Sequence, residues 1–288
     1  MGPRAERWLA TVPGLVEHAV RVQLAHSELH AAPLAEVAEG LEQISRLGER
    51  SDRTAREIVL SFVPLLVDPA NIEQVEQLRT LAQERGLEAL GRLLRASTRD
   101  GHLPPARARS EDDAKQQAAQ GTLTHPDGRP LTLGERRALA RNPARRVIDK
   151  LMRDSHPMVV RLLLANPKIT EQDVVHMAAR RPAVPEVTCE IAKSWTRQAR
   201  VRCAIVLNPG SPPAVSVPLL ALLSRPELRQ VARATDVPPV VRATAAEIAG
   251  LRPPPPDPSE PADADRAVEL PEPEPEPPGA ARHGSELE

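Results

Sequence analysis

Residues 157–161, Pro-Met-Val-Val-Arg, return at 238–242 as Pro-Pro-Val-Val-Arg, and an acid precedes each, Asp154 and Asp236. A third pair, Val201-Arg202, falls between them, so that Val160, Val201 and Val241 stand 41 and 40 residues apart. Short apolar segments such as Val174–Ala179 and Leu219–Leu223 fill the intervals. They stop at Arg141-Asn142-Pro143, Ala165-Asn166-Pro167, Arg181-Pro182, Leu207-Asn208-Pro209 and Arg225-Pro226. Asn tolerates the left-handed backbone at a helix C-terminus, and the Pro that follows cannot continue the helix. Pro157, Pro185, Pro212 and Pro238 stand where a first helical residue belongs, because the amide lost there has no partner in the helix. Thr170-Glu171-Gln172-Asp173 reads as a capping box, with Arg180 and Arg181 closing the same helix at its negative end. A period near 40 with two helices per unit is the pattern of an α-solenoid, where each pair buries its apolar face only by stacking on neighbours.

Upstream of this block, residues 1–100 read as a helical region. Apolar residues from Leu9 to Leu24 fit a helix that Pro13-Gly14 breaks or kinks. Leu34, Val37, Leu41, Ile44 and Leu47 repeat at helical spacing. Ser51 or Asp52 caps a further helix that ends near Val67, before Asp68-Pro69. Asn71–Ala96 reads as one long amphipathic helix, unless Gly86, which costs about 1 kcal/mol relative to Ala in a helix interior, marks a turn. Residues 101–133 carry Gly101, Pro104-Pro105, Gly121 and His125–Pro130, and read as a flexible linker with a short helix near 111–120.

The fold class expected is therefore all-α: an N-terminal helical region (1–100), a linker (101–133), a helical-repeat solenoid (134–250) and a disordered Pro/Glu-rich acidic tail (251–288). Eleven of the 38 tail residues are proline and ten are acidic. Such a segment buries too little apolar area to offset its ordering entropy. With about three repeat units the stack is short, so the N-terminal helices are expected to dock on it as a cap.

Charge is segregated. Residues 134–250 hold 19 basic and 10 acidic side chains (+9), whereas 251–288 hold 3 and 10 (−7), in a chain of net charge −1. Arginines outnumber lysines 34 to 4. The aromatics are Trp8, Phe62 and Trp195, which excludes the stacking platform of single-strand binders. The longest apolar runs fall short of the roughly 18 residues of a membrane span. Met1–Ala10 carries charge and no apolar core, so no secretory signal is expected. Two cysteines, Cys189 and Cys203, make no disulfide framework and read as small buried hydrophobes. A cytoplasmic location follows as the expectation.

Leu219-Leu220-Ala221-Leu222-Leu223, followed by Asp236-Val237-Pro238-Pro239-Val240-Val241-Arg242-Ala243, resembles the HEAT-like repeat family. The resemblance covers about residues 134–250. The unit at 184–207 departs from it, because no Asp precedes Arg202 at the expected distance. The region is also similar to uncharacterised bacterial proteins with degenerate, leucine-rich-repeat-variant-like helical repeats. This resemblance implies that Asp154, Arg161, Arg202, Asp236 and Arg242 are structural positions, the arginine of each Val-Arg pair bonding neighbouring repeats through the Asp. It also implies a scaffold or adaptor. HEAT-like DNA glycosylases resemble the chain at fold level only, since their sites set aromatic residues beside a carboxylate and only Trp195 lies in this region.

No nucleophile triad, glycine-rich phosphate loop or zinc spacing is legible. His26 and His30, at i and i+4 with His18 nearby, lack an evident third metal ligand. The expected function is thus a non-enzymatic protein–protein interaction scaffold, without cofactor or metal, for an unknown protein partner and without a membrane. The alternative is a nucleic-acid-binding module. For that, or for another anionic partner such as the chain's own tail, the candidate surface is Arg136, Arg137, Arg141, Arg145, Arg146, Arg197 and Arg200.

Overall fold

The two longest stretches of chain buried without interruption are Ile58–Val67 and Ala214–Leu223, and the rest of the protein is arranged around them. A helix that is apolar on every side needs neighbours on every side. The computed structural model describes residues 1–103, 127, 129–141 and 144–253. The short helix expected near 111–120, most of the expected linker, Asn142-Pro143 and all of the tail beyond Pro253 lie outside the described residues. Within them every regular element is a helix, and Met1–Pro253 form one compact unit.

The N-terminal helices are α1 (Pro3–Thr11), α2 (His18–Ala31), α3 (Leu34–Glu49), α4 (Arg53–Leu66), α5 (Ile72–Glu84) and α6 (Glu88–Leu93). The break expected at Pro13-Gly14 is a 3₁₀ turn over Val12–Gly14. At the α3–α4 corner Asp52, not Ser51, caps α4, its carboxylate accepting from the Ala55 amide at 2.7 Å. Ser51 instead ends α3 in the left-handed region, at φ 75°. The Asn71–Ala96 segment is two helices. Gly86 adopts φ 66°, the Leu87 amide donates to Ala82 O and the Gly86 amide to Gln83 O, which together form a Schellman stop. Trp8 packs on Phe62 with ring centroids 5.1 Å apart.

The remaining helices are α7 (Leu133–Arg141), α8 (Arg145–Leu151), α9 (Pro157–Leu164), α10 (Glu171–Ala179), α11 (Pro185–Trp195), α12 (Ala199–Val206), α13 (Pro213–Leu220), α14 (Arg225–Arg233) and α15 (Pro239–Leu251). Helix α9 packs on α11, α11 on α13 and α13 on α15, and α10 packs on α12. The first residues of α9, α11, α13 and α15 are 28, 28 and 26 residues apart; those of α10, α12 and α14 are 28 and 26 apart. The repeat is therefore close to 28 residues, not 40. The Val-Arg spacing misleads because it is one and a half periods. Val160 and Val241 lie in the α9–α15 series, three helix pairs apart, while Val201 lies in α12 of the other series.

Hydrogen bonds between neighbouring pairs carry the same period. Trp195 Nε1 donates to Leu164 O (31 residues), Arg200 to Gln172 (28), Arg180 to Arg153 O (27) and Cys203 Sγ to Glu227 (24). The Asn-Pro stops belong to this set. Among the described residues only Ser51 and Gly86 have positive φ, so Asn166 and Asn208 are not left-handed caps. Their side chains reach sideways instead. Asn166 Nδ2 donates to Arg141 O at 2.9 Å, and Asn208 Nδ2 to Ala178 O and Arg180 O at 2.9 and 2.7 Å. Each amide oxygen accepts from the loop two residues on, at Lys168 N and Gly210 N. These bonds satisfy carbonyls that a helix end leaves without partners. The approach at Gly210 is close: a Cβ would lie 3.0 Å from Ala183 Cβ and 3.1 Å from Ala183 N, so a larger residue must push Ala183 aside by a few tenths of an ångström. The Thr170–Asp173 capping box forms as read. Pro157 and Pro185 open their helices, whereas Pro212 and Pro238 are N-caps one residue earlier than expected.

Helix α13 meets both halves of the unit, touching α4 and α6 on one side and α11, α12 and α15 on the other. Polar contacts run along this seam. Arg95 forks onto Glu247 at 2.8 and 2.7 Å and reaches Thr244 Oγ1 at 3.0 Å. Arg56 donates to Leu222 O, and Arg252 to Ala221 O at 2.6 Å and Ser51 Oγ at 3.1 Å. Lys193 meets Asp68 at 3.2 Å. Burial pushes the Arg252 guanidinium down to about 10, so it stays charged at neutral pH. No single described helix is long and apolar enough to cross a membrane.

Candidate interaction surface

Four arginines of the basic block are held by acids within the chain, three of them by close pairs with a carboxylate. One guanidinium nitrogen of Arg136 donates to both oxygens of Asp154, at 2.7 and 2.6 Å, and the Asp154 side chain is wholly buried. Arg145 forks onto Asp173 at 2.7 and 2.6 Å, 28 residues on. Arg161 forks onto Glu190 at 2.8 and 2.9 Å, 29 residues on. Glu190 also meets Lys193 at 2.7 Å. Such two-pronged pairs fix both partners in position.

The structural positions implied by the repeat resemblance are thus paired differently. Asp154 takes Arg136 rather than Arg161, and Asp236 takes Arg181 at 3.3 Å. Arg202 donates to Thr196 O and Arg197 O, the carbonyls at the end of α11. The Arg242 Nε is buried without a hydrogen-bond partner. For Arg161 the cause is the shorter period. A side chain on one helix faces its counterpart about 28 residues away, which carries Arg161 to Glu190.

The expected anionic-partner surface is divided by the same pairs. Arg136 and Arg145 are engaged by Asp154 and Asp173, and Arg200 by Gln172. Arg137 is half-buried, while Arg141, Arg146 and Arg197 are exposed. His26 and His30 lie side by side on α2 with ring centroids 4.3 Å apart. Among the described residues no three His, Cys, Asp or Glu side chains come together as a metal site. Cys189 is buried and Cys203 half-buried, and burial pushes both thiols up to about 12.

The ion pairs give the protein an acid-sensitive stability. The Arg145 fork, opposed by burial and aided by Thr170, holds the Asp173 carboxyl well below the usual carboxylate range. Burial alone would raise the Glu190 carboxyl, but bonds from Arg161 and Lys193 override it and set it low. Free carboxyls titrate near 4. A carboxyl depressed in the folded state contributes stability that is complete above the unfolded pKa and is lost as pH falls through the folded one. Asp173→Asn is therefore expected to melt below the parent at pH 7, with the gap constant down to about pH 4 and beginning to narrow between there and pH 3. Melting curves from pH 3 to 7 check this; a gap constant across that range would show that the charge of Asp173 plays no part.

A cleft that the sequence did not single out lies where α8 and α10 come together. Its volume is about 480 Å³. Met152 and Met177 supply its apolar lining, and Arg153, Arg180 and Arg181 its charge, with His176 and Asp149 also at the wall. Arg180 Nη1 donates to Arg153 O at 2.6 Å, and Arg180 Nη2 is buried with no hydrogen-bond partner. Burial, then the charge of Arg153, push the Arg180 guanidinium down, while Asp154 opposes them. The signal was present in the sequence at the true period. Met152-Arg153 and Arg180-Arg181 are 28 residues apart, as are Asp149 and Met177. A second hollow between α3 and α5, about 630 Å³, is lined by Leu34, Leu81 and the acids Glu73, Glu76 and Glu84, of which Glu73 and Glu76 contact Arg99.

Compared with family models, with curated proteins and with solved structures, the chain has no significant match.

Proposed function

We propose that this chain is a non-enzymatic protein-interaction scaffold built on an α-solenoid of helical repeats, HEAT-like in kind but with a period near 28. A cytoplasmic setting, with both thiols free, belongs to the same proposal. The observation that carries it is the α8–α10 cleft, in which methionine side chains lie among arginines on elements held by lateral hydrogen bonds. Methionine adapts to varied apolar partners, and arginine is enriched at protein contacts. Specificity in such stacks lies in side chains spread over several repeats on a rigid frame.

The nucleic-acid reading draws on the same basic block, but Arg136 and Arg145 are neutralised by Asp154 and Asp173. Binding that rests on phosphate contacts weakens steeply with salt. The test is chemical crosslinking in native lysate with the full chain, with and without nuclease, beside a salt titration against duplex DNA. A single protein retained at fixed stoichiometry after nuclease, with weak DNA binding, is the expected result. Capture that disappears with nuclease, together with steep salt dependence on DNA, would overturn the scaffold reading.

A further inference from the structure

We propose that the α8–α10 cleft binds an acidic–apolar segment of a partner protein, with a carboxylate seated between Arg153 and Arg180. This rests on the scaffold reading and names the chemistry of its partner. Two features support it. Arg180 Nη1 is pinned to Arg153 O, so the guanidinium is already oriented at the cleft wall and little side-chain freedom is lost when a carboxylate approaches. Arg153 and Arg180 also bring like charges together at the wall, which an anion relieves. Arg181 adds a third guanidinium nearby, partly drawn off by Asp236.

The partner's chemistry follows from the rest of the lining. Met177 lies in the core, 6% exposed, while the half-buried Met152 gives the cleft an apolar surface that a free oxyanion does not cover. Asp149 puts a carboxylate at the edge, only 3.9 Å from Arg145. That charge tolerates one acid placed at the arginines but repels a continuous row of phosphates. At about 480 Å³ the cleft has room for a few side chains, not for a duplex. Glutamate or aspartate flanked by leucine-like residues fits all of these conditions.

The experiment uses the full chain and a fluorescein-labelled peptide alternating Glu and Leu, read by anisotropy. An all-Glu peptide of the same length and a single-stranded DNA 12-mer serve as competing probes. The expected result is saturable binding of the Glu-Leu peptide and weaker binding of the other two. Arg180→Gln and Arg153→Gln should each weaken it about tenfold, the effect of losing one charge-assisted hydrogen bond. Arg229→Gln, an exposed position on α14, should bind as the parent does. Arg153 is exposed, so its variant keeps the test valid if Arg180→Gln lowers the melting temperature. Equal peptide binding by the parent and both cleft variants would overturn the inference. So would stronger binding of the DNA than of the peptide. If the crosslinked partner is retained undiminished by the cleft variants, the scaffold reading stands and the cleft is not its site. If no partner survives nuclease, the reading itself falls.

Discussion

Leu220→Ala is expected to lower the unfolding midpoints of both halves of the protein together. Leu220 is fully buried in α13, which like α11 touches both the N-terminal helices and the repeat helices. Truncating a buried leucine typically costs about 2–5 kcal/mol, because the cavity left behind closes only in part. For a unit of this size that lowers Tm by on the order of 5–15 °C. The two tryptophans make the coupling measurable. Trp8 lies in α1 and Trp195 ends α11, so Trp195→Phe leaves a reporter on the N-terminal half and Trp8→Phe one on the repeats. In both backgrounds Leu220→Ala should move the fluorescence midpoint by the same amount. A shift at Trp195 with none at Trp8 would mean that the halves unfold separately and that the seam of Arg56, Arg95 and Arg252 contributes nothing cooperative.

How much of this was legible in the sequence depends on how local the signal was. The N-terminal helices α3 and α4 were readable because their apolar spacing and the Asp52 cap are local. The break at Gly86 was readable only as an alternative, since a glycine with no β-carbon neither demands nor forbids a turn. The repeat was visible but its period was not. Val-Arg is a two-residue word, and it recurs on alternate sides of the stack. Asn-Pro was seen as a helix stop, and the stop is real. What sequence could not supply is that Asn166 and Asn208 reach across to carbonyls 25 to 30 residues back, because side-chain direction is set by the packed neighbour. For the same reason sequence did not tell which arginines of the basic surface are engaged within the chain. Arg136 and Arg146 look alike in sequence, yet one lies over a buried Asp154 and the other faces solvent. The cleft was invisible until a 28-residue offset set Met152-Arg153 beside Arg180-Arg181.

That difference between Arg136 and Arg146 has a measurable consequence. Asp154→Ala removes the acceptor of Arg136 and also the acceptor of the His156 amide, which donates to Asp154 Oδ1 at 2.8 Å. Breaking a buried pair from one side leaves an uncompensated charge, at a cost of about 3–5 kcal/mol when that charge is fully enclosed. The Arg136 side chain keeps 22% of its exposure, so water reaches it and the expected loss falls to about 2–4 kcal/mol. Arg136→Leu leaves Asp154 with the amide alone and should cost nearly as much, since the carboxylate is the more deeply buried partner. The double variant Arg136→Leu, Asp154→Leu should recover much of the loss, because an apolar pair carries no desolvation penalty. With Asp154→Leu as the second single variant, the coupling energy of that cycle, by urea unfolding, should be no smaller than the loss in either single variant, on the order of 3 kcal/mol. Arg146→Ala, exposed and with no acid partner among the described residues, should change stability by no more than about 0.5 kcal/mol. If Arg136→Leu proves as neutral as Arg146→Ala, the ion pair does not hold α7 against the repeats. Arg136 would then be available to an anionic ligand, and the nucleic-acid reading would regain the arginine it has lost here.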